Sequence, residues 1–279
     1  MALMDPAALE RAVEEARRSG IDRDAREVML WARRLLGEGL MMTTSFQKGG
    51  MILLHLARDL MPDLPIYFLD TGFHFPETLE FAEKIKREWG LNVIFQRGKL
   101  FGDAFKAKYG ELYETDPNLC CHLNKVEPQN ELLSRYGGWI TAIRRDQAST
   151  RAGVEVLEIL EGPKLKVQPL ALWSRDQVSA YLAEHRLPVH PLYSQGYSSI
   201  GCGPCTQPSS DPTNERAGRW GGKKVECGLH TFLKKRGPDS QVVNPGAKDG
   251  GHHLPEVIER VEILGSPPEP DPLRKAAAG

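Results

Sequence analysis

Apolar and polar residues alternate along this chain in a way that separates helices from strands. A helical stripe runs through "PAALERAVEEARRSG", with Asp5 before Pro6 as an N-cap and first-turn proline and Gly20 as the stop. A second stripe covers "DAREVMLWARRLLGEG". The period then changes. A short apolar run, "LMMTTSF", precedes a helix from about Gly49 to Leu60. The run "LPIYFLD" follows, then a helix opened by Pro76 in "PETLEFAEKIKREWG", then "LNVIFQR". Short apolar strands alternating with helices predict a parallel sheet with right-handed crossovers and helices on both faces. A later strand, "GWITAI", and a helix over "SRDQVSAYLAEHRLP", with a capping box between Ser174 and Gln177, extend the pattern.

In such a sheet, ligands gather at the carboxyl ends of the strands, so the loops there carry the functional expectation. They are "TSFQKGG", "LDTGFHFPET" and "RRDQASTR". The first could receive an anion at a helix N-terminus or be a simple turn; the second offers Thr71 and Gly72 to a nucleoside or to a turn. The third places Arg144, Arg145 and Arg151 together, and "NERAGRW" adds Arg216 and Arg219. Basic groups converging at strand ends suit a small, multiply charged anion.

Composition sharpens this. The 279 residues carry 36 basic and 37 acidic side chains, a formal charge of −1, so the chain lacks the character of a nucleic-acid binder and anion binding must be local. The first twenty residues mix acids with bases and do not read as a secretory or transit signal, and no apolar run approaches membrane-spanning length. The expected compartment is the cytoplasm, where thiols stay reduced. One main domain over residues 1–234 is expected to be followed by a loosely held Pro/Gly-rich tail over 235–279, with one short element in "LPEVIERVEIL".

Reduced thiols make the five cysteines informative. Cys120 and Cys121 are adjacent, Cys202 and Cys205 form a Cys-x-x-Cys pair, and Cys227 stands alone in "VECGLH". Two such pairs can supply four thiolates to one metal centre, zinc or iron–sulfur, and spacing does not choose between them. Cys227, with His230 nearby, reads as either a nucleophile or a small core residue.

Taken together, "TSF", "LDTGFHFPET", "CCHLNKVEP", "IRRDQASTRA", "HPLYSQGYSSIGCGPC", "ERAGRW" and "ECGLH" resemble the assimilatory sulfonucleotide reductases, specifically the thioredoxin-dependent adenylyl-sulfate (APS) reductases. The resemblance runs from about Gly39 to His230. It implies an α/β fold of the ATP pyrophosphatase type, an adenine-nucleotide α-hydrolase-like three-layer arrangement. The pyrophosphate-loop signature SGGxDS is replaced here by "SFQKGG", which argues against ATP cleavage. It further implies a [4Fe–4S] cluster on Cys120, Cys121, Cys202 and Cys205, and Cys227 as the nucleophile. Lys125 would lie between cluster and substrate, and Arg216, Arg219 and His230 would be basic groups near the phosphosulfate. Arg144 and Arg151 would stand at the nucleotide site, and Ser45, Phe46, Leu69 and Thr71 would line its pocket. Thioredoxin would be the reductant, and a homo-oligomer is compatible with the pattern. Because 3′-phosphoadenylyl-sulfate (PAPS) reductases of this family typically lack the four cluster cysteines, APS is the expected substrate, with PAPS or dual specificity as the alternative. An ATP pyrophosphatase and a zinc-stapled nucleic-acid module are remoter alternatives.

Overall fold

The computed structural model describes residues 4–211, 214–224 and 226–230, so the expected tail over 235–279 and its short element lie outside the described residues. Helix α1 (Pro6–Ser19) begins where the Asp5 carboxylate accepts from the Ala8 amide and ends at Gly20, whose φ of 75° a residue with a β-carbon rarely adopts. Helix α2 (Ala25–Leu36) is capped by Asp24. Next come β1 (Leu40–Thr44), α3 (Lys48–Leu60), β2 (Ile66–Asp70), α4 (Pro76–Trp89) and β3 (Val93–Arg97), as the periodicity predicts.

The following stretch carries no expectation from the sequence. It folds as α5 (Gly102–Tyr109), α6 (Leu112–Thr115), α7 (Pro117–Cys121), a π-helical turn (His122–Val126) and α8 (Glu127–Arg135). Strands β4 (Gly138–Ile140), β5 (Leu157–Leu160) and β6 (Lys164–Val167) then complete the sheet before α9 (Arg175–Glu184), which has the expected Ser174–Gln177 capping box.

The six strands lie in the order β3-β2-β1-β4-β6-β5. All pairs are parallel, as expected, except β5–β6, an edge hairpin that the sequence reading did not include and that is antiparallel. Its sequence hides it because Glu158 and Lys166 interrupt the apolar runs. The two are directly paired in register, and their charges meet within the fold at 3.5 Å. Alternation along the strands separates two cores. Leu40, Met42, Ile66, Phe68, Ile140 and Val167 pack with residues of α1 to α4 and α9, while Met41, Tyr67, Leu69 and Trp139 pack with Leu132 and Leu133 of α8. Each fully buried aliphatic side chain contributes roughly 1.5–3 kcal/mol, and both sheet faces are thereby covered. The chain leaves β1 toward β2 on one side and returns through β4 on the other. A crevice opens at the carboxyl ends of these two neighbouring strands.

Candidate active site

Three loops and the Cys-x-x-Cys segment converge on that crevice. After β1, the Thr44 hydroxyl accepts from the Phe46 amide at 3.1 Å and the chain turns through Phe46 at φ 54° into α3. This turn is tight against the helix. A β-carbon at Gly50 would meet Thr44 Oγ1 at 2.9 Å, which is why the loop needs glycine there. Ser45 lines the cleft, but Phe46, expected to line it too, does not. Its side chain is fully buried against Phe68 and Phe81, because the positive φ turns it into the core.

After β2, Leu69 reaches the cleft while Thr71 does not; Thr71 instead faces a second, smaller chamber, where its hydroxyl lies 3.3 Å from Cys202 Sγ. The same loop bridges to the Cys-x-x-Cys segment, with His74 opposite Cys202 and the Gly203 amide donating to the Phe73 carbonyl at 2.7 Å. This pairing brings Cys202 and Cys205 to Cys120 and Cys121. All four cysteines wall the smaller chamber, together with Thr71 and Asn124. Burial, and then the three neighbouring thiols, push the Cys120 thiol up to about 12. Asn124 Nδ2 lies 3.8 Å from Cys120 Sγ. Among the described residues no group of three or more His, Cys, Asp or Glu side chains is placed to hold a metal ion. Four clustered thiols with hydroxyl and amide groups near the sulfurs are a donor set suited to a larger cationic group.

Lys125 and Trp220 line both cavities and form the wall between them. Lys125 owes its place to the π-helical turn, a feature that tends to mark functional sites because it shifts side chains out of α-helical register. Burial works against its charge, but Cys202, Cys121 and Cys227 outweigh burial and raise its pKa above the ordinary lysine value. Trp220, at φ 53°, presents its ring to Arg216 at 5.2 Å and Arg219 at 4.6 Å.

The arginines differ in their commitments. Arg144 is buried and paired with Asp146 at 2.8 Å and Glu215 at 3.0 Å. Arg151 is held by Glu226 and by Gln147 Oε1 at 2.5 Å. Arg216 also reaches Glu226, and burial with the neighbouring Arg151 brings its pKa down to about 10, still charged at neutral pH. Arg219 is buried, and its Nε has no hydrogen-bond partner among the described residues.

Cys227 lines the same cleft. Burial disfavours its thiolate, yet Lys125, Arg216 and the Leu229 backbone amide outweigh burial and the opposing Glu226, so its pKa falls below the ordinary thiol value. His230 stacks on Trp139 with centroids 5.3 Å apart and planes 4° from parallel. It is not the expected basic group. Burial, with Lys166, Arg151 and Arg216 nearby, lowers its pKa far enough to keep the imidazole neutral. The cleft thus joins a thiol activated by cations to an arginine-rich wall, separated by Lys125 and Trp220 from four clustered thiols.

The comparisons agree with this architecture. Residues 39–208 match the model of the phosphoadenosine phosphosulfate reductase domain. The chain belongs to that family. It is 41% identical over 210 residues to adenosine 5′-phosphosulfate reductase of Geobacillus kaustophilus (strain HTA426), covering 74% of this chain and 89% of the relative. It is 43% identical over 211 residues to adenosine 5′-phosphosulfate reductase 2 of Bacillus subtilis (strain 168), with the same coverage of 74% and 89%. Among solved structures it is similar to the phosphoadenylyl-sulfate reductase of Candida auris in its phosphate complex, with a TM-score of 0.63, 26% identity, and 74% of this chain and 99% of that chain covered. Candida glabrata FMN adenylyltransferase with FAD and inorganic pyrophosphate shares the fold at TM-score 0.50 and 14% identity over 71% of this chain and 67% of that one. Family membership makes sense of the convergence of loops, whereas Glu226, Trp220 and Glu215 are residues that sequence reasoning did not single out. Their signal was present in "ERAGRW" and "ECGLH": acids and an aromatic placed among arginines.

Proposed function

We propose that this protein reduces adenylyl sulfate to sulfite and AMP in assimilatory sulfate reduction, with Cys227 as nucleophile. The observation that carries the reading is the Cys227 thiol, lowered in pKa by Lys125 and Arg216 within a cleft that also holds Arg219. The thiolate attacks the sulfur of the sulfate group. A sulfur–sulfur bond forms, the bond from sulfur to the bridging oxygen breaks, and AMP leaves with the electron pair as S-sulfocysteine remains. Arg216 and Arg219 stabilise the charge that develops on the departing phosphate, as preorganised cations in a water-poor site do. Lys125, in the wall shared with the cysteine chamber, adds to the same positive charge.

A dithiol reductant, thioredoxin, completes the cycle. Its first thiolate attacks Cys227 Sγ, releasing sulfite with the electron pair of the broken sulfur–sulfur bond; its second thiol resolves the mixed disulfide and returns the Cys227 thiolate. Two electrons pass from thioredoxin to the sulfuryl group, and the compartment is cytoplasmic, where such thiols are kept reduced. Ser45, Leu69, Arg144 and Arg151 serve the nucleotide portion, Phe46 and Thr71 acting from behind the cleft wall rather than in it.

Cys120, Cys121, Cys202 and Cys205 would hold a [4Fe–4S] cluster, whose charge would act electrostatically on the site beyond Lys125. The reaction itself needs no redox change there, because thiols carry both electrons.

The test is a single turnover. Enzyme mixed with APS and no reductant should release one equivalent of AMP and add one SO₃ group to the Cys227 peptide, with sulfite appearing only after reduced thioredoxin is added. Sulfite production by Cys227→Ser, or label on Cys202 or Cys205, would overturn the reading.

A further inference from the structure

A glutamate is an unexpected neighbour for a nucleophilic thiol. Its negative charge disfavours the thiolate, and Glu226 does oppose the ionisation of Cys227. The carboxylate is nevertheless fully engaged elsewhere. Oε1 accepts from Arg151 Nε at 2.7 Å and from the Thr150 hydroxyl at 3.1 Å. Oε2 accepts from Arg151 Nη2 at 2.9 Å and from Arg216 Nη2 at 3.3 Å. The three side chains are 13%, 9% and 13% exposed for Glu226, Arg151 and Arg216, so solvent screens these contacts little. Arg151 belongs to the loop beyond β4 and Arg216 to the segment beyond the Cys-x-x-Cys pair, and the residue that ties them together is bonded directly to Cys227.

We propose that Glu226 is a positioning residue: its two-pronged ion pair with Arg151, shared with Arg216, holds the Cys227 segment so that the thiol stays beside Lys125 and Arg216. Bidentate guanidinium–carboxylate pairs fix geometry as well as charge, which a single contact would not. Attraction between the thiolate and the two cations falls as they separate, so a small displacement of this segment raises the thiol pKa and misplaces the attacking sulfur. Glu226 therefore acts on Cys227 in two opposed ways. Directly it disfavours the thiolate; through position it favours it.

The opposition gives a test with a sign. The groups facing Cys227 are Lys125 from the π-helical turn, Arg216 from the "ERAGRW" segment and Glu226 itself. In full-length protein purified without oxygen, iodoacetamide alkylation of Cys227 is followed by peptide mass spectrometry from about pH 5 to pH 9. If Glu226 positions the thiol, Glu226→Gln moves the alkylation midpoint upward by about one pH unit, toward that of a free thiol, and slows SO₃ transfer from APS about tenfold. Glu226→Asp, which keeps the charge, restores most of both. An unchanged or lowered midpoint, transfer within about twofold of the parent, or no rescue by Asp would overturn the proposal. The transfer readout rests on the reading of Cys227 as nucleophile, whereas the alkylation midpoint does not. Parent protein that forms no adduct with APS would count against that reading while the midpoint still judged Glu226.

Discussion

Arg219 lies across the backbone of Gly201 so closely that a β-carbon there would meet its Nη2 at 2.0 Å. Gly201 precedes the Cys-x-x-Cys pair, and Arg219 bridges back to Thr206 just beyond it, so the cysteine segment and Arg219 occupy one tightly fitted unit. Gly201→Ala should displace the guanidinium while leaving the nucleophile in place. The expected result is a KM for APS raised about tenfold, equivalent to about 1.4 kcal/mol of lost binding, with a smaller change in kcat. Steady-state kinetics checks this, and an unchanged KM would mean that Arg219 has another way into the site.

Lys125 forms part of the wall between the cysteine chamber and the substrate cleft. On the proposal that its charge serves the transferred group, Lys125→Ala is expected to lower kcat/KM by about 100-fold while iron content stays near that of the parent. Replacing any one of Cys120, Cys121, Cys202 or Cys205 by Ser should instead lose both iron and activity. Iron analysis of protein purified without oxygen, expected at about four per chain, separates the two classes. Iron lost along with Lys125 would make that residue structural.

His190 is fully buried, donating from Nε2 to the Thr78 hydroxyl at 2.9 Å and accepting the Leu192 amide on Nδ1 at 3.2 Å. Burial, only partly offset by Glu77, lowers its pKa to about 4. The unfolded chain therefore takes up a proton first as pH falls. Stability conferred by the neutral ring is intact above about pH 6.5 and is lost progressively down to about pH 4, by up to roughly 3 kcal/mol. Denaturant titrations across that window should show the loss in the parent and a shallower acid slope in His190→Asn. Equal slopes would remove His190 from the acid sensitivity.

The presence of all four clustered cysteines predicts preference for APS over PAPS. The ratio of kcat/KM is expected to be about tenfold or more, about 1.4 kcal/mol of discrimination in the transition state. Sulfite-release assays with both nucleotides measure it, and equal values would make the enzyme dual-specific.

Much of this protein was written locally. Hydrophobic period, Pro6, Gly20, Pro76 and the Ser174–Gln177 box placed helices and strands, since each signal acts between residues within a few positions of one another. Those strands in turn directed attention to the loops at their carboxyl ends. The five cysteines divided into four and one by spacing and motif alone. What the sequence left undecided depends on distant partners. Phe46 turns inward because its backbone has positive φ, and Thr71 faces Cys202 because the β2 loop pairs with a segment about 130 residues later. The charge of His230 was also beyond local pattern: basic by residue type, it is kept neutral by burial and by cations from β6 and two separate loops. Glu226 is the sharpest case. Only the folded chain brings Arg151, 75 positions away in sequence, onto the carboxylate beside Cys227, and electrostatic energy depends on that distance in space rather than on separation along the chain.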